Sequence, residues 1–442
     1  VTTLDVSIDA FCDAIRRTGR RRAYFVNTGE RATGGAALRA SDPSLADHAA
    51  AIAREPDFAD HEALFFEIGR ETGALLSAAL HKTVRGQGAG GVRHWPYRTF
   101  GDLVRDGLRL SRGMGRKNAL AGLFWGGGKG VIARQDGERH RDPAYRRTLY
   151  REYGTFMTSL RGAYVTAEDV GTMPEDMAEV FATTRFVTCV PERVGGSGNP
   201  SPATARGVVA AMEAALDHLG EGPLAGKKVA MQGTGNVGAS VIAELLDKGV
   251  ASVVATDVNR ELVAALGARF EGAPVRIRAV APEDRTIFAE PCDVFAPNAL
   301  GAVLNPDTIP LLSCRVVCGA ANNQLADDRR DDKALHERGI VYVPDFVANR
   351  MGIVTCANEQ YGTIPDDPAI LRHLGRDWDG SVYAVTRRIL ARADAERITS
   401  TEAANELADA LSLEPHPIFP HRARAIVRAL VRERWHEASA GA

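Results

Sequence analysis

Hydrophobic positions change their period along this chain, and the changes mark its elements. Over residues 203–219 and 239–248 apolar side chains recur every three or four positions, as on a helix with one buried face. Between and beyond these helices, short apolar runs of strand length stand at 228–232, 252–256, 293–296 and 316–318. Such alternation of strand and helix predicts a parallel, doubly wound sheet. Residues 61–99 instead carry short apolar runs ending in turn signals, which fits strands of a mixed sheet. A helix over 102–119 follows, with Leu103, Leu108, Leu110 and Met114 at helical spacing, and a further strand is expected over 162–166. Residues 1–60 are polar, rich in Arg and Ala, and read as an arm or peripheral helices. Gly195-Gly196-Ser197-Gly198-Asn199-Pro200-Ser201-Pro202 is the clearest hinge. Helices over 380–395 and 401–413 close the chain, and no internal repeat is found. The expected fold class is α/β with two domains and a cleft between them. An arm (1–60) precedes a mixed-sheet substrate domain (61–190) and a doubly wound domain (191–384), and C-terminal helices (385–442) return to the first domain.

Composition narrows this picture without redirecting it. A chain of 442 residues exceeds one ordinary core. With 45% hydrophobic and 25% charged residues and a net charge of -2, nothing calls for nucleic acid or membrane. The one basic run, Arg16-Arg17-Thr18-Gly19-Arg20-Arg21-Arg22, reads as a solvated helix end or an oligomer contact. Cys12, Cys189, Cys292, Cys314, Cys318 and Cys356 are scattered among apolar neighbours without zinc-site spacing, so no metal is expected. No apolar run suits a signal peptide or a bilayer span, and a cytoplasmic location is the expectation.

The strongest chemical motif lies at 227–257. Gly233-Thr234-Gly235-Asn236-Val237-Gly238 follows an apolar strand and opens an amphipathic helix, the context a dinucleotide fingerprint requires. Gly233 permits the tight turn, Gly235 admits the pyrophosphate to the backbone, and Gly238 allows close packing of helix on strand. Asp257, with Val258 after it, ends the next strand, where an acid accepts the ribose 2′-OH and repels a 2′-phosphate. This makes the second domain Rossmann-type and favours NAD, although Arg260 stands close enough to accommodate a phosphate. A glycine-rich turn that binds nothing, or binds another nucleotide, is the plainer alternative.

Lysine is scarce here, confined to Lys82, Lys117, Lys129, Lys227, Lys228, Lys248 and Lys333, while arginine supplies most positive charge. Two of these lysines flank a glycine-rich turn, Arg116-Lys117-Asn118 and Gly126-Gly127-Gly128-Lys129-Gly130. Unlike arginine, a lysine can lose its proton in a buried cationic site and act as a base. A phosphate-binding loop is excluded, because residue 123 is leucine and Lys129 precedes Gly130 rather than Ser or Thr. A surface turn with an exposed lysine is the bland reading.

Together the segments 113–132, 166–172, 195–204 and 317–325 resemble the glutamate, leucine, phenylalanine and valine dehydrogenase family, and most of all its leucine/phenylalanine/valine branch. The likeness runs from about residue 61 onward. It implies reversible, NAD-dependent oxidative deamination of an L-amino acid to the 2-oxo acid and ammonia, in a homo-oligomer. By resemblance, Lys117 binds the substrate carboxylate with backbone help near Gly91. Lys129 activates water and Asp169 shuttles protons. Asn323 orients the amine or the nicotinamide amide, with Asn322 beside it. The resemblance also places Thr204 and the Ala296-Pro297-Asn298 segment along the cofactor. Side-chain selection falls on Gly90, Met114, Ala167, Ile353 and Cys356, none of them charged. The glutamate branch has a lysine and a serine where this chain has glycine and cysteine, so an apolar or aromatic substrate is implied. Taken alone, Asp169 reads as a helix cap before Pro174-Glu175-Asp176.

The family's usual Asn-Ala-Gly-Gly-Val turn is Asn349-Arg350-Met351-Gly352-Ile353 here. Arg350 and Met351 are expected to narrow the pocket, or Arg350 to hold an acidic substrate, in an atypical member of the family. Residues 362–379 also look longer than the family core. Two other functions fit the fold: a catalytically silent nucleotide sensor or scaffold, and an imine-reducing enzyme using amines other than ammonia. A sensor has no need of Lys117, Lys129 and Asp169 together.

Overall fold

The computed structural model describes residues 3–29, 38–135, 137–360, 362, 364 and 366–438. One sheet has seven strands: β1 (Arg22–Asn27), β2 (Leu38–Ala40), β3 (Ala63–Ile68), β4 (Leu75–His81), β5 (Gly88–Trp95), β6 (Gly126–Ala133) and β7 (Tyr164–Glu168). Its order is β2-β1-β3-β4-β6-β5-β7, antiparallel as far as β6 and parallel from β6 through β5 to β7. Helices α1 (Ile8–Arg17), α2 (Ala46–Ile52) and α3 (Phe100–Leu120) cover one face through Phe11, Ile15, Phe100 and Leu108. Helices α4 (Pro143–Ser159) and α5 (Pro174–Phe181) cover the other through Tyr153, Met157, Met177 and Val180.

After α6 (Ser201–His218) the chain alternates β8 (Lys228–Gln232), α7 (Asn236–Asp247), β9 (Ser252–Asp257), α8 (Arg260–Arg269) and β10 (Val275–Ala279). It continues with β11 (Val294–Pro297), β12 (Val316–Val317), α9 (Asp328–Glu337) and β13 (Val341–Tyr342). These six strands form an all-parallel sheet in the order β10-β9-β8-β11-β12-β13. The order reverses between β8 and β11, and doubly wound sheets bind ligands in the crevice at that reversal. Helices α10 (Asp345–Ala348), α11 (Met351–Glu359), α12 (Pro368–Leu371), α13 (Val382–Glu396), α14 (Ser400–Leu411) and α15 (Arg422–Arg432) complete the chain. Of the C-terminal helices expected to return to the first domain only α15 does so, through Ala423, Val427 and Leu430, whereas the apolar faces of α13 and α14 pack into the core of the second sheet. Arg116 of α3 also grips Asp409 of α14 with two bonds of 2.8 and 2.7 Å.

Two further expectations are corrected. The N-terminal residues are not only peripheral: β1 is an inner strand, registered on β3 from Arg22 opposite Glu67 to Val26 opposite Ala63. The basic run disguised it. Arg16 and Arg17 do end α1 exposed, as expected, but Arg22 is buried and bonded to Glu67 at 2.7 Å, and Arg20 to Asp42 at 3.0 Å, so the later charges are paired. Gly126-Gly127-Gly128-Lys129-Gly130, expected as a turn, is the first half of β6, buried throughout. Glycine usually weakens a strand, but here it admits neighbours. A Cβ on Gly128 would stand 2.6 Å from the Tyr164 ring and 2.8 Å from the Ala89 nitrogen. One on Gly127 would overlap the Ser111 carbonyl of α3.

The two cores interlock. Leu120, the last residue of α3, belongs to the core of the second sheet, while Ile353 and Cys356 of α11 belong to that of the first.

Candidate active site

Lys129 sits two residues beyond Gly127 on β6 and therefore projects from the same face, toward α3. It is 3% exposed, and its ammonium lies 2.9 Å from the Asp169 carboxylate at the end of β7. Burial lowers the Lys129 pKa, and Asp169 opposes this only in part. Helix α3 starts with a capping box, in which Thr99 and Asp102 satisfy each other's backbone N–H, and carries Lys117 in its last turn. The Lys117 pKa is also lowered, by burial first; Asp345 opposes this and Lys129 adds to it. The two lysines disfavour each other's charge, and Arg93 adds a second cation acting on Lys129 in the same direction.

Arg93 also donates through Nε to Asp169 Oδ2 at 3.0 Å, sharing that oxygen with Lys129. Its other arm donates to Asp106 at 3.0 Å, and the Tyr97 hydroxyl donates to the same Asp106 oxygen at 2.6 Å. Burial would raise the Asp169 pKa, but Lys129 and Arg93 outweigh it and hold the carboxyl down at about 2. Asp169 is thus a firmly ionised acceptor. The backbone N–H of Met173 is capped by Asp176 at 2.8 Å, so Asp169 is not the helix cap. Next to it Glu168, half-buried and close to Asp169, is pushed up to about 7.

The positions expected to select the side chain are brought together. Ala167, Ile353 and Cys356 share one buried apolar cluster with Met114 packed against it. Gly90 fits beneath: a Cβ there would stand 2.7 Å from Met114 Cγ. At Gly91 a Cβ would stand 2.8 Å from the Cβ of Asp169, so glycine lets the two strand ends close up. Arg350 and Met351 do not enter this group. The Arg350 guanidinium is fully buried and donates to the carbonyls of Leu120 and Gly380, the latter at 2.5 Å. Met351 lies in the second core against Gly207, so neither residue narrows the cleft as expected.

At the reversal point the glycine turn has the shape a dinucleotide needs. Gly233 has φ +92° and is pressed against Ala299, and Gly238 is pressed against the Gly233 carbonyl. Around Gly235 nothing comes within 4 Å of a Cβ position, so the turn is open on that side, at the N-terminus of α7, which starts at Asn236 and Val237. Asp257 holds the turn by accepting from the Thr234 N–H at 2.7 Å and from the Asn259 N–H at 2.9 Å. Val258 beside it is 58% exposed. Across the crevice Asn298, two residues beyond Ala296, accepts from the Ala320 N–H at 2.7 Å. Asn322 accepts from Asn349 at 2.9 Å. Asn323 adopts a left-handed φ of 53°, and its N–H donates to Asp345. Thr204 donates to the Pro200 carbonyl at 3.0 Å, and a Cβ on Gly352 would stand 3.1 Å from its hydroxyl.

The chain is similar to known proteins. The chain is 43% identical over 303 residues to the leucine dehydrogenase of Geobacillus stearothermophilus, covering 68% of this chain and 79% of that one. It belongs to the glutamate/leucine/phenylalanine/valine dehydrogenase family. The family's own model matches residues 195–406, and that of its dimerisation domain residues 72–186. The valine dehydrogenase of Streptomyces coelicolor is 39% identical and covers 81% of this chain and 93% of its own. Among solved structures, L-tryptophan dehydrogenase from Nostoc punctiforme superposes with a TM-score of 0.66 at 32% identity, over 80% of this chain and 96% of that one. As a member of this family the chain is an amino-acid dehydrogenase, an oxidoreductase that works with a nicotinamide cofactor. Among the described residues no helix is long and apolar enough to cross a membrane.

Sequence reasoning missed Arg93, Asp106, Tyr97 and Asp345. Arg93 had a signal, since it follows Gly90-Gly91 on the strand that faces Asp169. Asp345 had none, because only the tertiary fold brings it to Lys117 and Asn323.

Proposed function

We propose that this family member oxidises an L-amino acid with an apolar or aromatic side chain to its 2-oxo acid and ammonia, reversibly, using NAD. The observation that carries the reading is the Lys129–Asp169–Arg93 group, its lysine buried and close enough to Lys117 for each to affect the other's charge, together with uncharged residues at the side-chain positions. Lys117 anchors the α-carboxylate and leaves the α-carbon beside Lys129. When bound, the nicotinamide accepts the hydride from that carbon. Lys129, its pKa lowered by burial, takes a proton from the water that attacks the resulting iminium. Asp169 holds the ammonium of Lys129 and, once Lys129 is neutral and no longer keeps the carboxyl down, receives and returns protons on the nitrogen side as the carbinolamine collapses. Met114, Ala167, Ile353 and Cys356 offer no partner to a charged side chain, which disfavours glutamate.

Gly233, Gly235 and Gly238 would hold the pyrophosphate against α7, and Asp257 the adenosine ribose. The same carboxylate repels a 2′-phosphate, which supports NAD over NADP. Copies of the chain would associate through the first sheet's domain. Single L-amino acids mixed with NAD, and separately with NADP, test the reading by dinucleotide absorbance. Branched aliphatic or aromatic substrates with NAD are expected to lead. Glutamate as the best substrate, or NADP as the better cofactor, would overturn those parts of it.

A further inference from the structure

Among the described residues Arg350 is the largest fully buried side chain, and no carboxylate among them answers it. Arg388 lowers its pKa after burial itself, and neutral His373, its pKa lowered first by burial, is lowered further by Arg350. What meets the guanidinium is backbone: the Leu120 carbonyl at the C-terminal end of α3, and the Gly380 carbonyl ahead of α13. A helix C-terminus carries roughly half a negative charge in unsatisfied carbonyls, so a cation placed there is compensated without a carboxylate.

The placement matters because of what each element carries. Helix α3 bears Met114 and Lys117 and ends inside the second core. Arg350 is the residue before α11, which bears Ile353 and Cys356 and enters the first core. One side chain therefore joins the two helices at the point where they cross between cores. Gly380 adds a third element, and Trp378 just before it lies 3.4 Å from the Cβ position of Gly122, two residues past the end of α3. We propose that Arg350 is a positioning residue that fixes the distance between the Lys117 end of α3 and the Ile353–Cys356 wall of α11, and so sets which side chains fit the pocket. The proposal rests on the amino-acid site described above. Arginine suits the role because its planar fork holds separate donors in a fixed geometry, whereas lysine offers a single compact ammonium.

Arg350→Ala and Arg350→Lys test it in the full-length enzyme. For Arg350→Ala the KM of the preferred amino acid is expected to rise about 10-fold or more, with kcat and NAD affinity changed less than about 3-fold. Arg350→Lys should fall between, and about 10 mM guanidinium chloride, far below denaturing levels, should lower the raised KM where equal sodium chloride does not. Independently of turnover, amide exchange should quicken at residues 117–122 and 351–356 and stay unchanged in β8 and β9. If the Ala variant fails to fold, the Lys variant carries both readouts. An unchanged KM, a parallel loss of NAD binding, or exchange that rises evenly through the chain would overturn the role. If the wild-type chain reduces no dinucleotide with any amino acid, the functional reading fails, and the exchange pattern alone decides whether Arg350 positions these helices.

Discussion

Replacing Asp169 with Asn removes one charge from a buried group and leaves its shape. In the wild type the Asp169 pKa drops from the ordinary 3.8 to about 2, because Lys129 and Arg93 outweigh burial. That fall corresponds to roughly 2–3 kcal/mol of preference for the ionised form. Because the folded pKa is depressed, this stability is fully present above pH ~4 and is lost as the pH falls toward about 2. In Asp169→Asn it is absent at neutral pH, so unfolding by urea should come at lower concentration, and the acid-dependent component between pH ~4 and ~2 should shrink. The kinetic consequence has the opposite location. Asp169 is one of the groups that keep Lys129 protonated, and an opposite charge this close moves a pKa by about 1–3 units. The rise of kcat/KM with pH, assigned to Lys129 losing its proton, should therefore move acidward by at least about 1 unit in the residual activity of the Asn variant. Glu168, at about 7, is the rival owner of that limb. Glu168→Gln should leave the limb in place. A limb unmoved in Asp169→Asn, or abolished in Glu168→Gln, would refute the assignment.

Other expectations follow from the same geometry. Lys117→Gln should raise the amino-acid KM about 10- to 100-fold, the worth of a hydrogen bond to a charged group, with little change in NAD affinity measured by fluorescence titration. Asp257→Ser should cut kcat/KM for NAD by about 10-fold and raise that for NADP; a preference that stays fixed would show that Asp257 does not select the cofactor. Gly128→Ala should lower the thermal midpoint by several degrees or prevent folding, since overpacking against unyielding backbone costs about 1–3 kcal/mol or more. Gly113→Ala on α3, where nothing lies within 4 Å, should be neutral or stabilising by up to about 1 kcal/mol.

The elements legible in the sequence were those where local pattern and tertiary role agree. The strand at Lys228–Gln232, the glycine turn and the helix after it could be read because period, glycines and length all point the same way. Strand β6 could not. Its glycines look like a turn, and only the crowding of Ser111, Tyr164 and Ala89 explains why a central strand needs them. Strand β1 was concealed by arginines whose partners, Glu67 and Asp42, lie far along the chain. In the candidate site, Lys117, Lys129 and Asp169 stand out in the sequence by type and context, and the structure shows the contact between Lys129 and Asp169, while Arg93–Asp106–Tyr97 depends on strand register and helix phase. Arg350 stands out in the sequence as a large charged residue where the family's turn has small ones. Its direction, away from the cleft and onto the end of α3, is set by where α11 begins, which no spacing in the sequence reports.

The central claim is that Lys129 performs proton chemistry on an amino acid beside a separately bound dinucleotide. Lys129→Ala tests it most directly, by measuring NADH formation with the best amino acid alongside NAD binding to the same preparation. The account predicts that turnover falls by a factor of about 100 to 10,000, the usual worth of a positioned acid–base group, while NAD affinity stays within about 3-fold of the wild type. Turnover close to that of the wild type, with NAD binding intact, would contradict it.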